Sequence, residues 1–171
     1  SSYQYLAPES ELYQGQGHEL IFATLQEAKA SGHKLAFVCG SSLTDMAAVL
    51  RDPRWSQIAP SVVSHIVVMG GAVIDNEGDV RMDSEAANNI IDQTSAGFVY
   101  DSLIHDQRFW FIVVTRHAVT QCHLPRGALD SSFHPVSRCL AGNAKPTLQQ
   151  LWERCHRTEV ERLIAHDSLA M

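Results

Sequence analysis

Residues 1–16 are polar and turn-rich, with Pro8 and Gly15 among them, and read as an N-terminal arm or loop. From His18 onward the pattern changes. Ile21, Leu25 and Ala28 share one helical face and Gly32 follows as a stop signal, so a helix is predicted over 18–31. Lys34 to Cys39 is a short apolar run leaving a Gly-containing turn, which predicts a strand buried on both faces. Ser42-Leu43-Thr44-Asp45 has the Ser-x-x-acid form of a helix start. It places Leu43, Met46, Ala47 and Leu50 on one face of a helix that ends before Pro53. His65 to Met69 predicts a second strand, stopped by Gly70-Gly71, and a polar loop through Asn76-Glu77-Gly78 follows. Residues 84–104 read as helical with an interruption near Asp92 to Ser95, and Phe109 to Val114 reads as a third strand. Beyond it the pattern is mostly helical, with Thr147 to Gln150 after Pro146 giving a second capping signature.

Strands separated by helical connections of this length imply crossovers, hence an α/β fold with a mostly parallel sheet. Residues 17–171 are read as a single domain of that class. In such folds ligands bind beyond the carboxyl ends of the strands. Those ends carry Cys39-Gly40-Ser41-Ser42, Met69-Gly70-Gly71 and Thr115-Arg116-His117, and the glycines let a ligand approach the backbone.

Charge narrows the partners. The 171-residue chain has a formal net charge of −6 and no Lys/Arg run, so sequence-independent nucleic-acid binding is not expected. No apolar stretch approaches the roughly 20 residues that span a bilayer, so no membrane segment is expected. The first residues lack the basic and apolar regions of a signal peptide, although the chain does not begin with Met, which leaves secretion open. Cys39, Cys122, Cys139 and Cys155 form no CxxC pair and read as buried or free thiols. That usage favours a reducing compartment such as the cytoplasm.

Familiar chemical motifs are mostly absent. His105, His117, His123, His134, His156 and His166 are scattered, and Cys122-His123 and Cys155-His156 are adjacent pairs whose side chains point apart. Neither spacing suits zinc. Gly40-Ser41-Ser42 sits between a predicted strand and helix but lacks the second glycine of a nucleophile elbow. No Gly-Lys-Ser/Thr phosphate loop occurs. His166-Asp167, taken alone, is an ordinary solvated or capping pair.

Four segments, read in order, resemble the inosine/uridine-preferring nucleoside hydrolase family. Leu43-Thr44-Asp45-Met46-Ala47 is similar to its Gly-Pro-Leu-Thr-Asn-Leu-Ala turn, and Ile66 to Ala72 to its strand ending in Met-Gly-Gly. Glu85 to Asp92 is similar to its Ala-Glu-Phe-Asn-Ile-x-x-Asp stretch, and His166-Asp167-Ser168-Leu169-Ala170 to its His-Asp-Pro-Leu-Ala. Thr115 fits the family's strand-to-Thr segment. The resemblance spans roughly Lys34 to Met171. It implies a nucleoside-hydrolase-like fold and cleavage of the N-glycosidic bond between ribose and base, assisted by a Ca²⁺ ion that binds water and the ribose hydroxyls. Carried over by residue, Asp167 matches a calcium ligand and His166 the leaving-group neighbour that protonates the base. Asn88 matches a ribose-binding Asn, and Met69 a residue lining the sugar pocket.

The departures from that pattern matter as much. The family opens on Asp-x-Asp-x-x-x-Asp-Asp, and no aspartates of this chain stand in that arrangement. Asp75, Asp79 and Asp83 recur every four residues but lie downstream of Met-Gly-Gly. The ribose-binding Glu aligns with Ala86, and a one-residue slip offers Glu85 instead. One carboxylate cannot hold Ca²⁺, which takes six to eight oxygens. The cofactor is thus expected to be Ca²⁺ if the site is complete and none otherwise. Either an N-terminal piece is missing from this chain or the lineage has given up the chemistry. The first alternative makes the chain a fragment of an active nucleoside N-ribohydrolase. The second makes it a catalytically impaired binding module, its partner another protein, a second copy of itself, or a nucleoside or ribose held without turnover. A third reading is an unrelated α/β domain whose strand-end glycines match by chance.

Overall fold

The computed structural model describes residues 15–121, 123–125 and 162–164. Of these, 15–118 belong to one compact unit, and 119–121, 123–125 and 162–164 to a second. The first unit runs α1 (Gly17–Ser31), β1 (Leu35–Cys39), α2 (Thr44–Arg51), α3 (Pro53–Val62), β2 (Val63–Met69), β3 (Ala72–Ile74), β4 (Val80–Met82), α4 (Ala87–Ile91), α5 (Gln93–Leu103) and β5 (Trp110–Val114). α6 (Arg116–Gln121) follows. In the second unit β6 (His123–Pro125) pairs antiparallel with β7 (Arg162–Ile164), where the sequence pattern predicts helix. The predicted helix start at Thr147 lies outside the described residues, as do Cys122, Cys139 and Cys155. Among the described residues no helix is long and apolar enough to cross a membrane.

The fold is α/β, as expected. β1, β2 and β5 form a parallel sheet in the order β1-β2-β5, with Phe37, Ile66 and Phe111 in one row and Val38, Val67 and Ile112 in the next. The two connections between these strands carry α2–α3 and α4–α5. Phe22 and Leu25 of α1, Met46 of α2, Trp55 of α3, and Val99 and Tyr100 of α5 bury against Ile66 and Val68 in a single core. Each of these larger side chains contributes roughly 1.5–3 kcal/mol by leaving water. Trp55 seats edge-on against Phe37, ring centroids 5.5 Å apart, and also meets Phe109.

One expectation is corrected here. β1 is not buried on both faces: Leu35, Phe37 and Cys39 turn toward the core, while Ala36 and Val38 are exposed. The same alternation leaves Trp110 72% exposed on β5, its ring stacked at 6.5 Å on His65 of β2. The reason is that the core helices pack against one face of the sheet, so strict period-2 burial follows despite apolar residues on the other face.

Local capping departs from the pattern in instructive ways. α1 ends as predicted: Gly32 adopts φ 72°, and the N–H groups of Gly32 and His33 donate to the Ala28 carbonyl. α2 does not start on Ser42. Its N-cap position is Leu43, fully buried, and the Ser42 hydroxyl reaches only the Thr44 hydroxyl at 3.3 Å. Burial of Leu43 outweighs the roughly 1 kcal/mol of a side-chain cap. α3 has the helix start that the pattern missed, Asp52-Pro53, with the Asp52 carboxylate accepting the Arg54 N–H at 2.9 Å. The predicted interruption falls at Asp92, whose carboxylate accepts the Ser95 N–H at 3.0 Å and the Thr44 hydroxyl at 2.8 Å. It thereby joins the starts of α5 and α2.

A charged clamp closes α1 onto α3. Arg54 donates to both Glu19 oxygens at 2.8 Å and to Asp52 at 2.7 Å, while His18 meets Asp52 at 3.0 Å. The Arg54 guanidinium also lies 4.0 Å from the Phe22 ring centroid. Arg54 above all, then His18, holds the Asp52 carboxyl well below the usual carboxylate range. A carboxyl whose folded pKa is depressed stabilises the fold above its ordinary value near 3.9 and loses that contribution as pH falls toward the folded value. The melting temperature is therefore expected to decline as pH drops below about 5. Asp52→Asn should lower it at neutral pH and flatten the acid limb. An unchanged acid slope in a calorimetric pH series would contradict the clamp.

Candidate functional site

The carboxyl ends of β2 and β5 frame a cleft of about 400 Å³. Its lining comes from three stretches: Met69–Ala72 from the end of β2 to the start of β3, Asp83 and Glu85–Asn88 from the β4–α4 turn into α4, and Thr115–His117 after β5. The sheet ladder continues one step past Met69, since the Gly70 N–H donates to the Val114 carbonyl at 3.2 Å. This fixes the Thr115–His117 segment beside the glycine pair. On the other side the Gly71 carbonyl accepts the Asp83 N–H at 2.9 Å and the Asn89 amide at 3.1 Å. Asn89 also donates to the Asp83 carbonyl at 2.8 Å. Asn88, next along the helix, points elsewhere: its amide donates to the Met69 carbonyl at 2.8 Å and reaches the Gly40 carbonyl at 3.4 Å, bridging the ends of β2 and β1.

The β3–β4 pair that carries the chain across was predicted only as a polar loop, because three-residue strands are too short to show a period. Asp75 builds its tip, accepting the N–H groups of Glu77 and Asp79 at 2.9 Å and the Arg81 guanidinium at 2.9 Å. Gly78 supplies the left-handed turn residue, φ 90°.

Both glycines at the floor are required by contact rather than by dihedral. A Cβ on Gly70 would lie 2.9 Å from the Tyr100 hydroxyl and 3.0 Å from Asn89 Oδ1. A Cβ on Gly71 would lie 2.5 Å from the Ala86 Cβ and 2.8 Å from the Asp83 Cβ. Among the described residues, Asn89 Oδ1 and the Tyr100 hydroxyl are buried without a partner in good hydrogen-bond geometry. Burial pushes the Tyr100 pKa up, opposed by the neighbouring Asn89 side chain.

The structure thus brings Met69 and Asn88 together at one cleft; His166 and Asp167 lie outside the described residues. Ala86 is buried behind Gly71, whereas Glu85 lines the opening. Gly71 is legible in the sequence as a strand-end glycine and Asp83 as one of three evenly spaced aspartates, but nothing there shows that Asn89 joins them. Their roles arise from backbone carbonyls brought together across 6 to 18 residues, and no local pattern encodes that.

The described residues do not suit a calcium ion at this cleft. The carboxylates that converge among them are Asp75, Glu77 and Asp79, at the hairpin tip, and Asp75 is already engaged by Arg81 and the turn backbone. Asp83 and Glu85 offer two carboxylates where six to eight oxygens are needed.

A second, smaller cavity of about 250 Å³ opens beyond β1, between Cys39–Ser42 and α2. Cys39 is a free thiol, and burial pushes its pKa up to about 11. At pH 8 its thiolate fraction should be about a hundredfold below that of an unperturbed cysteine. Iodoacetamide labelling of native protein, mapped by peptide mass, is expected to modify Cys39 correspondingly slowly. Fast labelling would refute the protonated, inert thiol. At the main cleft, Gly71→Ala should cost about 1–3 kcal/mol through overpacking. Gly40→Ala, which meets nothing within 4 Å, should be nearly neutral in the same denaturant titration. Equal effects of the two would remove the close-approach account.

No family model matches this chain, and no curated protein sequence matches it. Solved structures do match, and two of them are effector proteins. The type III effector protein XopQ, crystallised with adenosine diphosphate ribose, matches with a TM-score of 0.66 and 24% identity, over 86% of this chain and 49% of that one. The effector protein XOO4466 matches with a TM-score of 0.68 and 23% identity, over the same shares. This chain therefore spans about half the length of the structures it matches. At such identity the likeness establishes architecture alone: the fold is α/β and nucleoside-hydrolase-like.

Proposed function

We propose that this domain binds a ribose-containing ligand in the cleft at the ends of β2 and β5, and that it does so as a nucleoside-hydrolase-like module with impaired catalysis. The observation that carries this reading is the make-up of the cleft. Two side-chain carboxylates and the side-chain oxygen Oδ1 of Asn88, which accepts no hydrogen bond from the described residues, surround a floor of glycines. Sugar hydroxyls are donors, and acceptors are what such an arrangement supplies. Gly70 and Gly71 both line the cleft, so its floor is backbone. One structural neighbour, XopQ, was crystallised with a ribose-containing molecule, adenosine diphosphate ribose, which supports the choice of ligand class.

Impaired catalysis rests on the sequence. Hydrolysis of an N-glycosidic bond needs a water activated and placed against the anomeric carbon. The carboxylate cluster that would hold a metal for that purpose in the resembled family is missing here. The rival reading, a fragment of an active hydrolase, gives His166 the proton donation to the base and Asp167 a metal contact. It is separated from the first by turnover.

Calorimetric titration of the 171-residue chain with adenosine diphosphate ribose should show saturable 1:1 binding. Glu85→Gln should weaken that binding about three- to tenfold, because an exposed carboxylate gives up part of a charge-assisted hydrogen bond. Ribose release from inosine or uridine should stay at background with and without Ca²⁺. Unaltered affinity in Glu85→Gln would take the ribose contact away from this side of the cleft. Calcium-dependent ribose release, abolished by Asp167→Ala, would establish the active reading in place of the impaired one.

A further inference from the structure

We propose that the β5–α6 side of the cleft is an anion subsite in which Arg116 holds a phosphate, so that the cleft prefers phosphorylated ribosides of the nucleoside diphosphate class to free nucleosides. This deepens the ribose-binding reading and rests on it. Three observations lead there. The first is the division of charge around the cleft. Asp83 and Glu85 enter from the β4–α4 side, and Arg116 and His117 enter from the far side of the Gly70–Gly71 floor. A ligand with hydroxyls at one end and negative charge at the other can lie across that floor in one direction only, because phosphate beside two carboxylates is repelled.

The second observation is the state of Arg116 itself. The other arginines of the first unit are engaged. Arg54 is held by Glu19 and Asp52, Arg81 by Asp75, and Arg108 by Asp106, while Arg51 lies 4.1 Å over the Phe98 ring. Arg116 has no ion pair, hydrogen bond or ring contact among the described residues, and it is exposed at the cleft. A guanidinium offers a planar fork of donors matched to phosphate oxygens.

The third is placement. Met69 and Val114 are register partners, and the Gly70 N–H to Val114 carbonyl bond fixes the start of the Thr115–His117 segment next to the glycines. Thr115 anchors that segment further, its hydroxyl accepting the Ala118 N–H at 3.3 Å. The backbone that leads into Arg116 is therefore tied to the end of the sheet. The chain as a whole carries −6, which disfavours diffuse attraction of anions and makes a local cation necessary for any phosphate binding.

The test compares adenosine diphosphate ribose with adenosine by calorimetry, using the full chain and its Arg116→Gln and Arg116→Lys variants, with thermal melts to verify folding. The wild type should bind adenosine diphosphate ribose about tenfold or more tightly than adenosine. Arg116→Gln should erase most of that advantage while leaving adenosine affinity within about twofold, and Arg116→Lys should recover part of it. The advantage should also shrink as salt is raised. If Arg116→Gln binds adenosine diphosphate ribose as tightly as wild type, or if the wild type binds both ligands equally, the anion subsite is wrong and the ribose site stands. If the wild type binds neither ligand, both proposals fall.

Discussion

The close approach of three backbone segments at Gly70–Gly71 governs the architecture of the candidate site. The end of β2 is gripped from one side by the Val114 carbonyl and from the other by the Asp83 N–H and the Asn89 amide. No side chain larger than hydrogen fits between Gly71 and Ala86. Because those contacts are short and polar, the cleft lining is set by the sheet rather than by a loop with its own freedom. The consecutive residues Asn88 and Asn89 divide the work. One closes the turn from beneath and the other ties the ends of β1 and β2 together at the rim. Successive positions on a helix face about 100° apart, so one dipeptide can serve two sides of the same corner.

The sheet itself is one-sided in the unit that carries the cleft. Parallel strands ordinarily have helices on both faces. Here α1, α2, α3 and α5 share a core with one face, and Val38, Trp110 and Ile112 remain exposed on the other. Apolar residues on both faces of β1 and β5 therefore coexist with alternating burial. Composition records what a strand could bury, and only the arrangement of neighbouring elements records what it does bury.

The electrostatics of the first unit separate two kinds of charged group. Most arginines and several aspartates serve the scaffold: Asp52 starts α3 and closes the clamp with Arg54, Asp75 shapes a hairpin tip, and Asp92 starts α5 while holding Thr44. Each carboxyl is held below its ordinary pKa by the donors around it. The groups around the cleft differ. Glu85 and Arg116 are exposed at the cleft, and among the described residues neither side chain forms an ion pair, which leaves their charge open to a ligand. Spacing alone cannot make that distinction, since Asp75, Asp79 and Asp83 stand at equal intervals, yet Asp83 lines the cleft and the other two shape the hairpin.

Local signals in the chain were enough for the α/β class, the three parallel strands, the Gly32 stop and the break at Asp92. Each depends on a short-range physical rule: period of burial, a left-handed residue, a carboxylate capping nearby N–H groups. The resemblance to the nucleoside hydrolase family, rather than any local signal, brought Met69 and Asn88 forward as candidates for one place. Tertiary structure alone decided the rest. It buried Leu43 where Ser42 was expected to cap, and it left one sheet face open where two covered faces were expected. It also assembled Gly71, Asp83 and Asn89 into the corner beneath the cleft. These outcomes depend on which distant carbonyls, rings and helix faces meet, and the free energy of such meetings belongs to pairs of positions remote in sequence rather than to any window along it.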